Sequence, residues 1–575
     1  MYILGLNAFH GDSSACIFKD DHFICALEEE RIRRIKHWAG FPSKAIEFCL
    51  KEAGISINNV DYVTVSREPK AHFWRKIAFL VTHPRNIFSV GNRVTNALKI
   101  ASLEETFEKE FLAPGEKLKA EIINVEHHLS HLASTFFASP FKEAALLSID
   151  AFGDFASTMR GFGNDKDIKV IDQVYYPHSL GAFYTAMTQY LGFYNYGDEY
   201  KVMGLAPYGK PIYAEKLRKL IIADDNGLFH LDERYYQYVR SITKTAWAGG
   251  YPAFSTMFSS ELCDLLGPAR QKGDELTQYH RDLASSTQFV TEEIISHMLC
   301  DLYKKTNCDN VCIAGGCAQN SVANGKVRLL SPFKNVYIPP AGHDAGTCMG
   351  SALYLYNSVL KQKRIEPIRH AYWGSCFTNE EIEKFLKSQN AKYRYFDNDG
   401  DLYEHVAAAL LNAGVIGWFQ GRAEFGPRAL GNRSILVDPR RSDAKDLLNE
   451  KIKRRESFRP FAPSILKEYC AEYFEQIDDV PFMEKVFQIR EEKREALPAV
   501  THVDGSGRLQ TVDANASPRY HALISTFFKY SGVPVLLNTS FNENEPIVNT
   551  PAEAYDCFAR TKMDMLVLGN FVVTR

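Results

Sequence analysis

Three apolar runs open the chain, Tyr2–Asn7, Ser14–Phe18 and Phe23–Glu28, and the first two are joined by the polar turn His10-Gly11-Asp12-Ser13. Short apolar runs broken by turn residues read as strands, so the chain starts as a β-meander with a polar tip. A helix is expected over Pro42–Gly54, with proline at its start and glycine at its stop, followed by a strand over Val60–Ser66. Helix and strand alternate onward past residue 140, which makes this an α/β chain. Its 575 residues exceed one ordinary core, so two or more domains are expected. Lys361–His370 is polar, contains Pro367 and has no period; the main boundary is placed there, with domains over 1–360 and 372–575 and a linker over 361–371.

Charge and composition remove several classes of function. The net charge is −3 with both signs mixed along the chain, which argues against nucleic acid or an anionic membrane as the main partner. No apolar stretch is long enough to span a bilayer, and Met1-Tyr2-Ile3-Leu4-Gly5 lacks the basic start of a signal peptide. A cytoplasmic protein is expected. The 12 cysteines include no Cys-x-x-Cys pair, and Cys16, Cys25 and Cys312 lie in strand-like runs as reduced core thiols. Cys308, Cys312 and Cys317 match no common zinc spacing. Residues 67–99 are rich in Arg, Lys, His, Phe and Trp; a solvated amphipathic helical insertion accounts for them better than a membrane or partner contact.

Candidate chemistry starts at His127 and His131, four residues apart in a segment whose small and apolar residues suit a buried helix. Positions i and i+4 share a helical face, so both imidazoles can meet one cation. His128 and His131 share a face as well, which leaves a second pairing open. Asp150 ends the apolar run Ala144–Ile149, as a core strand delivers a ligand, and Asp344 sits in the glycine-flanked loop Ala341–Thr347 before a helix. Two imidazoles with two carboxylates suit Fe(II), Mn(II) or Zn(II) better than calcium. In Val311–Asn320 a strand runs into the turn Gly315-Gly316 and a helix, where bare N–H groups can approach a phosphate; an ordinary strand-to-helix turn has the same pattern.

Beyond the boundary the chemistry changes. Arg422, Arg428 and Arg433 lie among the glycine and proline turns of residues 421–434, and Lys453, Arg454, Arg455 and Arg459 precede the rigid Pro460-Phe461-Ala462-Pro463. Arg508 and the polar turn Asn538–Asn542 complete a candidate pocket. Guanidinium forks take phosphate oxygens in pairs, lysine adds a point charge, and hydroxyl or amide groups address a neutral end. The interleaved Asp443, Asp446, Glu450 and Glu456 favour a solvated basic helix for part of this run.

Taken in order, Gly5-Leu6-Asn7 with His10–Ala15, Glu28–Arg31, His127-x-x-x-His131, Gly197–Gly209, Gly315–Asn320, Glu424–Gly431, Arg459–Pro463 and Leu537–Asn542 closely resemble the O-carbamoyltransferases of nodulation-factor and antibiotic tailoring. The resemblance covers essentially the whole chain. It implies an actin-like (ASKHA), two-lobed α/β N-terminal domain and a YrdC-like α/β C-terminal domain. It further implies that carbamoyl phosphate is hydrolysed in the C-terminal domain, that the carbamate reacts with ATP in the N-terminal domain to give carbamoyl adenylate, and that the carbamoyl group passes to a hydroxyl of a small-molecule acceptor. Carbamate is short-lived in water, so a closed passage prevents its loss.

Carried over by position, Arg428, Lys453, Arg459, Arg508, Asn538 and Ser540 match the family's carbamoyl phosphate pocket, with Lys453 and Arg459 as catalytic cations. His127, His131, Asp150 and Asp344 match its metal ligands, with iron as the implied ion and Mn(II) or Zn(II) as alternatives; Mg(II) accompanies ATP. His10 matches the base for the acceptor hydroxyl, and Lys36, Gly315, Gly316 and Asn320 match nucleotide contacts. Tyr200 departs from the family pattern, in which glycine is frequent, and Gly11 lengthens the turn after His10. Two other classes share the architecture, a tRNA-modifying threonylcarbamoylation enzyme and a non-catalytic nucleotide-binding scaffold. The near-neutral charge disfavours the first and the filled arginine pocket the second.

Overall fold

The N-terminal apolar runs form β1 (Tyr2–Asn7), β2 (Ser14–Lys19) and β3 (His22–Glu28), paired antiparallel as a meander. β4 (Tyr62–Val65) and β5 (Glu121–Asn124) add in parallel beyond β1, giving a sheet in the order β3-β2-β1-β4-β5. The longest helix between β3 and β4 is Ser43–Ala53, and it stops where Gly54 takes φ +65° and closes its N–H on the Leu50 carbonyl. The computed structural model describes residues 1–83, 102–240, 250–252 and 255–575. Within the expected insertion, Phe73–Thr82 is helical with Trp74 exposed; residues 84–99 lie outside the described residues.

The same strand order is then built a second time. β6 (Glu143–Gly153), β7 (Ala156–Asn164) and β8 (Asp167–Tyr175) form a second antiparallel meander. After a separate hairpin, β9 (Ile221–Ala223) and β10 (Phe229–Leu231), strands β11 (Asn310–Ala314) and β12 (Asn335–Tyr337) add in parallel beyond β6, in the order β12-β11-β6-β7-β8. Residues Val311–Ala314 of β11 are all buried, which is why that strand reads as an unbroken apolar run.

A helix follows the fifth strand of each sheet, His127–Phe136 after β5 and Thr347–Leu353 after β12. The two helices touch. A Cβ on Gly350 would stand 1.8 Å from the Ser130 carbonyl oxygen, and one on Gly5 of β1 would stand 2.1 Å from that of Cys348, so Thr347–Leu353 is gripped from two sides where only glycine leaves room. Everything described so far belongs to the first of two units, Met1–Ile368; the second is Arg369–Arg575. Near the end of the first unit, Arg364 donates to the carbonyls of Phe136 and Ser139, at the C-terminal end of the His127–Phe136 helix.

The second unit is built on β13 (Arg394–Tyr395), β14 (Ile416–Phe419), β15 (Arg433–Val437), β16 (Ala462–Leu466), β17 (Lys485–Gln488), β18 (Ser506–Val512), β19 (Val535–Ser540), β20 (Met565–Leu568) and β21 (Phe571–Thr574). They form one nine-stranded mixed sheet in the order β13-β21-β20-β14-β15-β19-β16-β18-β17. Alternation along the strands serves two cores, with Ile435, Val437 and Leu537 in one and Leu436 and Leu536 in the other. Helices Asp399–Leu411 and Pro518–Ser531 contribute to the second core, and Pro551–Arg560 to the first. The whole chain is thus mixed α/β. Among the described residues, no helix is long and apolar enough to cross a membrane.

The helix contact at Gly350 yields a direct test. Gly350→Ala should lower the unfolding temperature of the first unit, since overpacking of a close contact costs about 1–3 kcal/mol. Calorimetry on the full chain measures it, and an unchanged first transition would show that the helices can part without cost.

Candidate functional site

The His127–Phe136 helix is buried at every position except Leu129, and its polar side chains must therefore find partners inside the protein. His127 Nε2 and His131 Nε2 lie 3.2 Å apart on one face. Asp150, on β6, places Oδ2 3.4 Å from the first and 3.1 Å from the second. Asp344 places Oδ1 3.5 and 3.3 Å from the same two nitrogens. The four donor atoms all lie within 4.8 Å of one another. Donors about 2.1 Å from a shared ion stand roughly 3.0–3.4 Å apart in octahedral or tetrahedral geometry, so the spacing suits a first-row divalent ion. The inward oxygen of Asp344 is buried with no hydrogen-bond partner, as an open ligand position requires.

His128 does not join them. It turns to β6, with Nδ1 2.8 Å from Ser148 Oγ, and burial pushes its pKa well below the usual histidine value. That closes the alternative pairing with His131. Burial also opposes a proton on His131, but the Asp150 and Asp344 carboxylates outweigh it and raise its pKa to about 9.

Neighbouring backbone is shaped around the cluster. A Cβ on Gly153 would stand 1.9 Å from the His127 ring, and one on Gly316 would stand 2.7 Å from Asp150 Oδ1. The Gly315 N–H donates to the Gly342 carbonyl at 2.7 Å, tying the two-glycine turn to the loop that carries Asp344. Gly315 takes φ +96°, and a Cβ there would strike the Ile149 carbonyl oxygen at 2.2 Å. The expected nucleotide turn thus abuts the His/Asp cluster. Asn320 caps the helix Ser321–Leu330 by accepting from Ala323 N–H, and its amide donates to Gln288. Lys36 is exposed, in the loop after the short helix Glu30–Arg33.

His10 is brought to the other side of Asp344, its Nδ1 2.7 Å from Oδ2. Burial works against its protonated form, and Asp344 more than compensates, so its pKa is raised. A second grouping stands nearby, Asp12, Glu30 and His37. Here His37 Nδ1 pairs with Asp12 Oδ1 at 2.8 Å, and the Glu30 carboxylate accepts from the His37 N–H. Burial opposes both charges of the His37–Asp12 pair, yet mutual attraction raises His37 to about 9 and lowers Asp12 to about 2.

In the second unit, Arg508 on β18 is close enough to Arg428, Arg455 and Arg459 for each to disfavour its charge; burial comes first, then the three guanidiniums, and its pKa falls well below the arginine range. Arg508 Nε is sealed from solvent with no hydrogen-bond partner. Lys453, 1% exposed, donates to Ser540 and to the carbonyl and side-chain oxygens of Asn542, the latter two at 2.7 Å. Asn538 is also 1% exposed, and its amide nitrogen donates to Ala429 O, Ser464 Oγ and Gln510 Oε1 at 3.2, 3.2 and 3.1 Å. Those acceptors fix the amide's orientation. Its Oδ1 faces the other way, buried and unpartnered.

The loop carrying Arg428 is moulded from within. Glu424 Oε1 accepts from the N–H groups of Leu430, Asn432 and Arg433 at 2.7, 2.9 and 3.2 Å. Arg433 is fully buried over the Phe419 ring and donates to the carbonyls of Ser375, Gln420 and Gly421, so this arginine holds the loop. The structure therefore gathers Arg428, Arg459 and Arg508, and links Lys453 to Ser540 and Asn538 to the Arg428 loop. The six pocket residues carried over from the family resemblance do not include Arg455 or Asn542. Arg455 was visible only as one more cation in a basic run, and Asn542 only as the end of a polar turn.

One unit thus holds a buried imidazole–carboxylate cluster and the other a set of arginines gathered around Arg508. The family model for the carbamoyltransferase N-terminus matches residues 2–353, and that for the carbamoyltransferase C-terminus matches residues 407–575. The chain belongs to the carbamoyltransferase family and is a transferase. An uncharacterized protein of Synechocystis is 41% identical over 608 aligned positions, covering 100% of this chain and 97% of its own. The nodulation protein NolNO of Sinorhizobium fredii is 37% identical, covering 99% of this chain and 80% of its own. The 3'-hydroxymethylcephem-O-carbamoyltransferase of Amycolatopsis lactamdurans is 36% identical over 44% of this chain and 47% of its own.

Two predictions follow from the charges. Because folding raises the His37 pKa from 6.5 to about 9, its pairing stabilises fully below about pH 6.5 and fades as pH rises through 9; Asp12 keeps its charge until pH falls toward 2. The stability difference between the wild type and His37→Gln, measured by urea titration, should therefore be large at pH 6 and shrink by pH 10; a difference independent of pH rules out the pair as its source. For the pocket, saturating phosphate at about 100 times its Kd should stabilise the second unit by about 2.7 kcal/mol. Arg508→Met should lose that shift while gaining stability without ligand, since it removes the repelled cation. A phosphate shift that survives in Arg508→Met would place the anion site elsewhere.

Proposed function

We propose that the chain is an ATP-dependent O-carbamoyltransferase acting on a hydroxyl of a small-molecule acceptor. In the second unit, water and carbamoyl phosphate give carbamate and inorganic phosphate. In the first, carbamate attacks ATP to give carbamoyl adenylate and pyrophosphate, and the acceptor hydroxyl then displaces AMP. The observation that carries this reading is the pocket of Arg428, Arg455, Arg459 and Arg508, whose like charges repel one another in a chain matched at both ends by carbamoyltransferase models. The phosphate group of carbamoyl phosphate would bring negative charge to the buried Arg508 and the guanidiniums around it. The unpartnered Asn538 Oδ1 offers an acceptor for the amide N–H of the carbamoyl end, while Lys453 holds the Ser540–Asn542 turn beside it. The hydroxyl acceptor is supported by the cephem O-carbamoyltransferase among the relatives.

In the first unit, His127, His131, Asp150 and Asp344 would hold a divalent ion, with iron as the expected one. When bound, the ion supplies positive charge beside the nucleotide phosphates. Gly315 and Gly316 keep the adjoining turn free of side chains, as close approach of a phosphate demands. Asp344 has two tasks, one oxygen toward the cluster and the other toward His10 Nδ1. With Nδ1 so engaged, His10 Nε2 is the nitrogen left to take the proton of the acceptor hydroxyl. The repeated five-strand order of the first unit supports a two-lobed, actin-like architecture, and the nine-stranded mixed sheet of the second is compatible with a YrdC-like fold. All 12 cysteines are free and eight are buried, which fits the reducing cytoplasm.

Separated half-reactions test the proposal. With labelled carbamoyl phosphate, ATP and an acceptor, the wild type should release both phosphate and pyrophosphate. Arg459→Ala should lose phosphate release by a factor of tens to thousands, the equivalent of about 2–5 kcal/mol for an unpaired buried charge, yet still consume pre-made carbamoyl adenylate. His131→Ala should do the reverse. Loss of the same half-reaction in both variants would overturn the division of labour.

A further inference from the structure

Asp154 is not a member of the His/Asp cluster, yet three parts of the fold that meet at the cluster converge on its carboxylate. It lies four residues beyond Asp150, in the turn between β6 and β7. Its Oδ2 accepts from the His127 N–H at 3.0 Å, at the first residue of the helix that carries both histidines. The same oxygen accepts from the Glu68 N–H at 2.7 Å, in the loop leaving β4. Its Oδ1 lies 3.9 Å from Arg67 Nε, and Arg67 Nη1 donates to the Phe9 carbonyl at 3.0 Å, next to His10. Glu126 caps the same helix one residue earlier by accepting from Leu129 N–H, so Asp154 is not needed merely to end the helix.

The turn that presents Asp154 is an unusual one. Asp154 and Phe155 take φ +48° and +77°, both in the left-handed region that non-glycine residues avoid. Gly153 before them is held to glycine by the His127 ring. One hairpin end therefore delivers a cluster member, Asp150, and a backbone anchor, Asp154, to a helix that presents His127 and His131 at the same four-residue spacing. Two points of attachment set both the distance and the rotation of that helix against the strand. A single ligand contact would leave the rotation free.

We propose that Asp154 is a positioning residue that sets the affinity of the His127–His131–Asp150–Asp344 site for its divalent ion, acting through its hydrogen bond to the His127 backbone. The inference rests on the metal reading given above for that site. It acts by preorganisation: without the anchor the two imidazoles must be brought to the ion at the expense of binding. Both N–H groups go to Oδ2, an oxygen that an asparagine also possesses, so an amide can keep the contact to the His127 backbone while giving up the ion pair with Arg67.

The test is Mn(II) titration of the full-length protein, followed by the fall of the free-ion EPR signal, at a temperature where every variant is folded by circular dichroism. Phosphate release from carbamoyl phosphate serves as a check that the second unit is intact. Asp154→Ala should weaken Mn(II) binding about 10- to 100-fold, the range for supporting groups around metal ligands. Asp154→Asn should restore most of it, within about threefold of wild type. His131→Ala is the control for the site itself. If His131→Ala binds Mn(II) as tightly as wild type, the metal reading fails. If His131→Ala loses binding but Asp154→Ala does not, or if Asp154→Asn is as weak as Asp154→Ala, the positioning role is overturned.

Discussion

The first unit depends on the enclosure of one short helix. His127–Phe136 carries three histidines, two serines and a threonine into a setting with no solvent to satisfy them, and each must be matched by the surrounding protein. Ser130 and Ser134 return their hydroxyls to the helix backbone, Thr135 reaches the Tyr337 carbonyl, and His128 takes Ser148. The His127–His131 face is met by Asp150 and Asp344, which come from two other elements. A buried pair of imidazoles opposite a pair of carboxylates is costly to assemble unless the elements are held rigidly, and the glycine contacts at Gly153, Gly316 and Gly350 are how that rigidity is reached.

Much of this was legible because it rests on local chemistry. The meander and the helix ending at Gly54 follow from period, turn residues and a stop glycine and stand where the pattern puts them; the strand read as ending at Asp150 runs three residues further, to Gly153. Four-residue spacing was enough to pair His127 with His131. It was not enough to exclude His128, because a helix has no inside or outside until its neighbours are known; only Ser148 on β6 decides that. Asp154 was illegible for a similar reason. Its partners are backbone N–H groups, which every residue carries, so no side-chain pattern announces them.

The second unit shows the same division between what spacing reveals and what packing decides. Arginine in the turns of 421–434 suggested anion binding, but only Arg428 of that group joins the pocket. Arg433, five residues on, is turned to loop carbonyls and the Phe419 ring. The two differ in burial, which a run of glycines and prolines does not encode. Glu424 is the counterpart of this clamp, gathering three N–H groups on one oxygen. The loop that carries Arg428 is thus held by Glu424 and Arg433, while Arg428, Arg455 and Arg459 stand close enough to the buried Arg508 to disfavour its charge.

The repeated strand order of the first unit divides the cluster between two like halves. In each repeat the first hairpin and the helix after the fifth strand occupy equivalent places, and both point to one spot: His10 and His127 from the first copy, Asp150 and Asp344 from the second. One copy alone would present a hairpin residue and a helix-start residue, which is half a site. The imidazoles come from one repeat and the carboxylates from the other, so neither repeat holds the cluster without its twin.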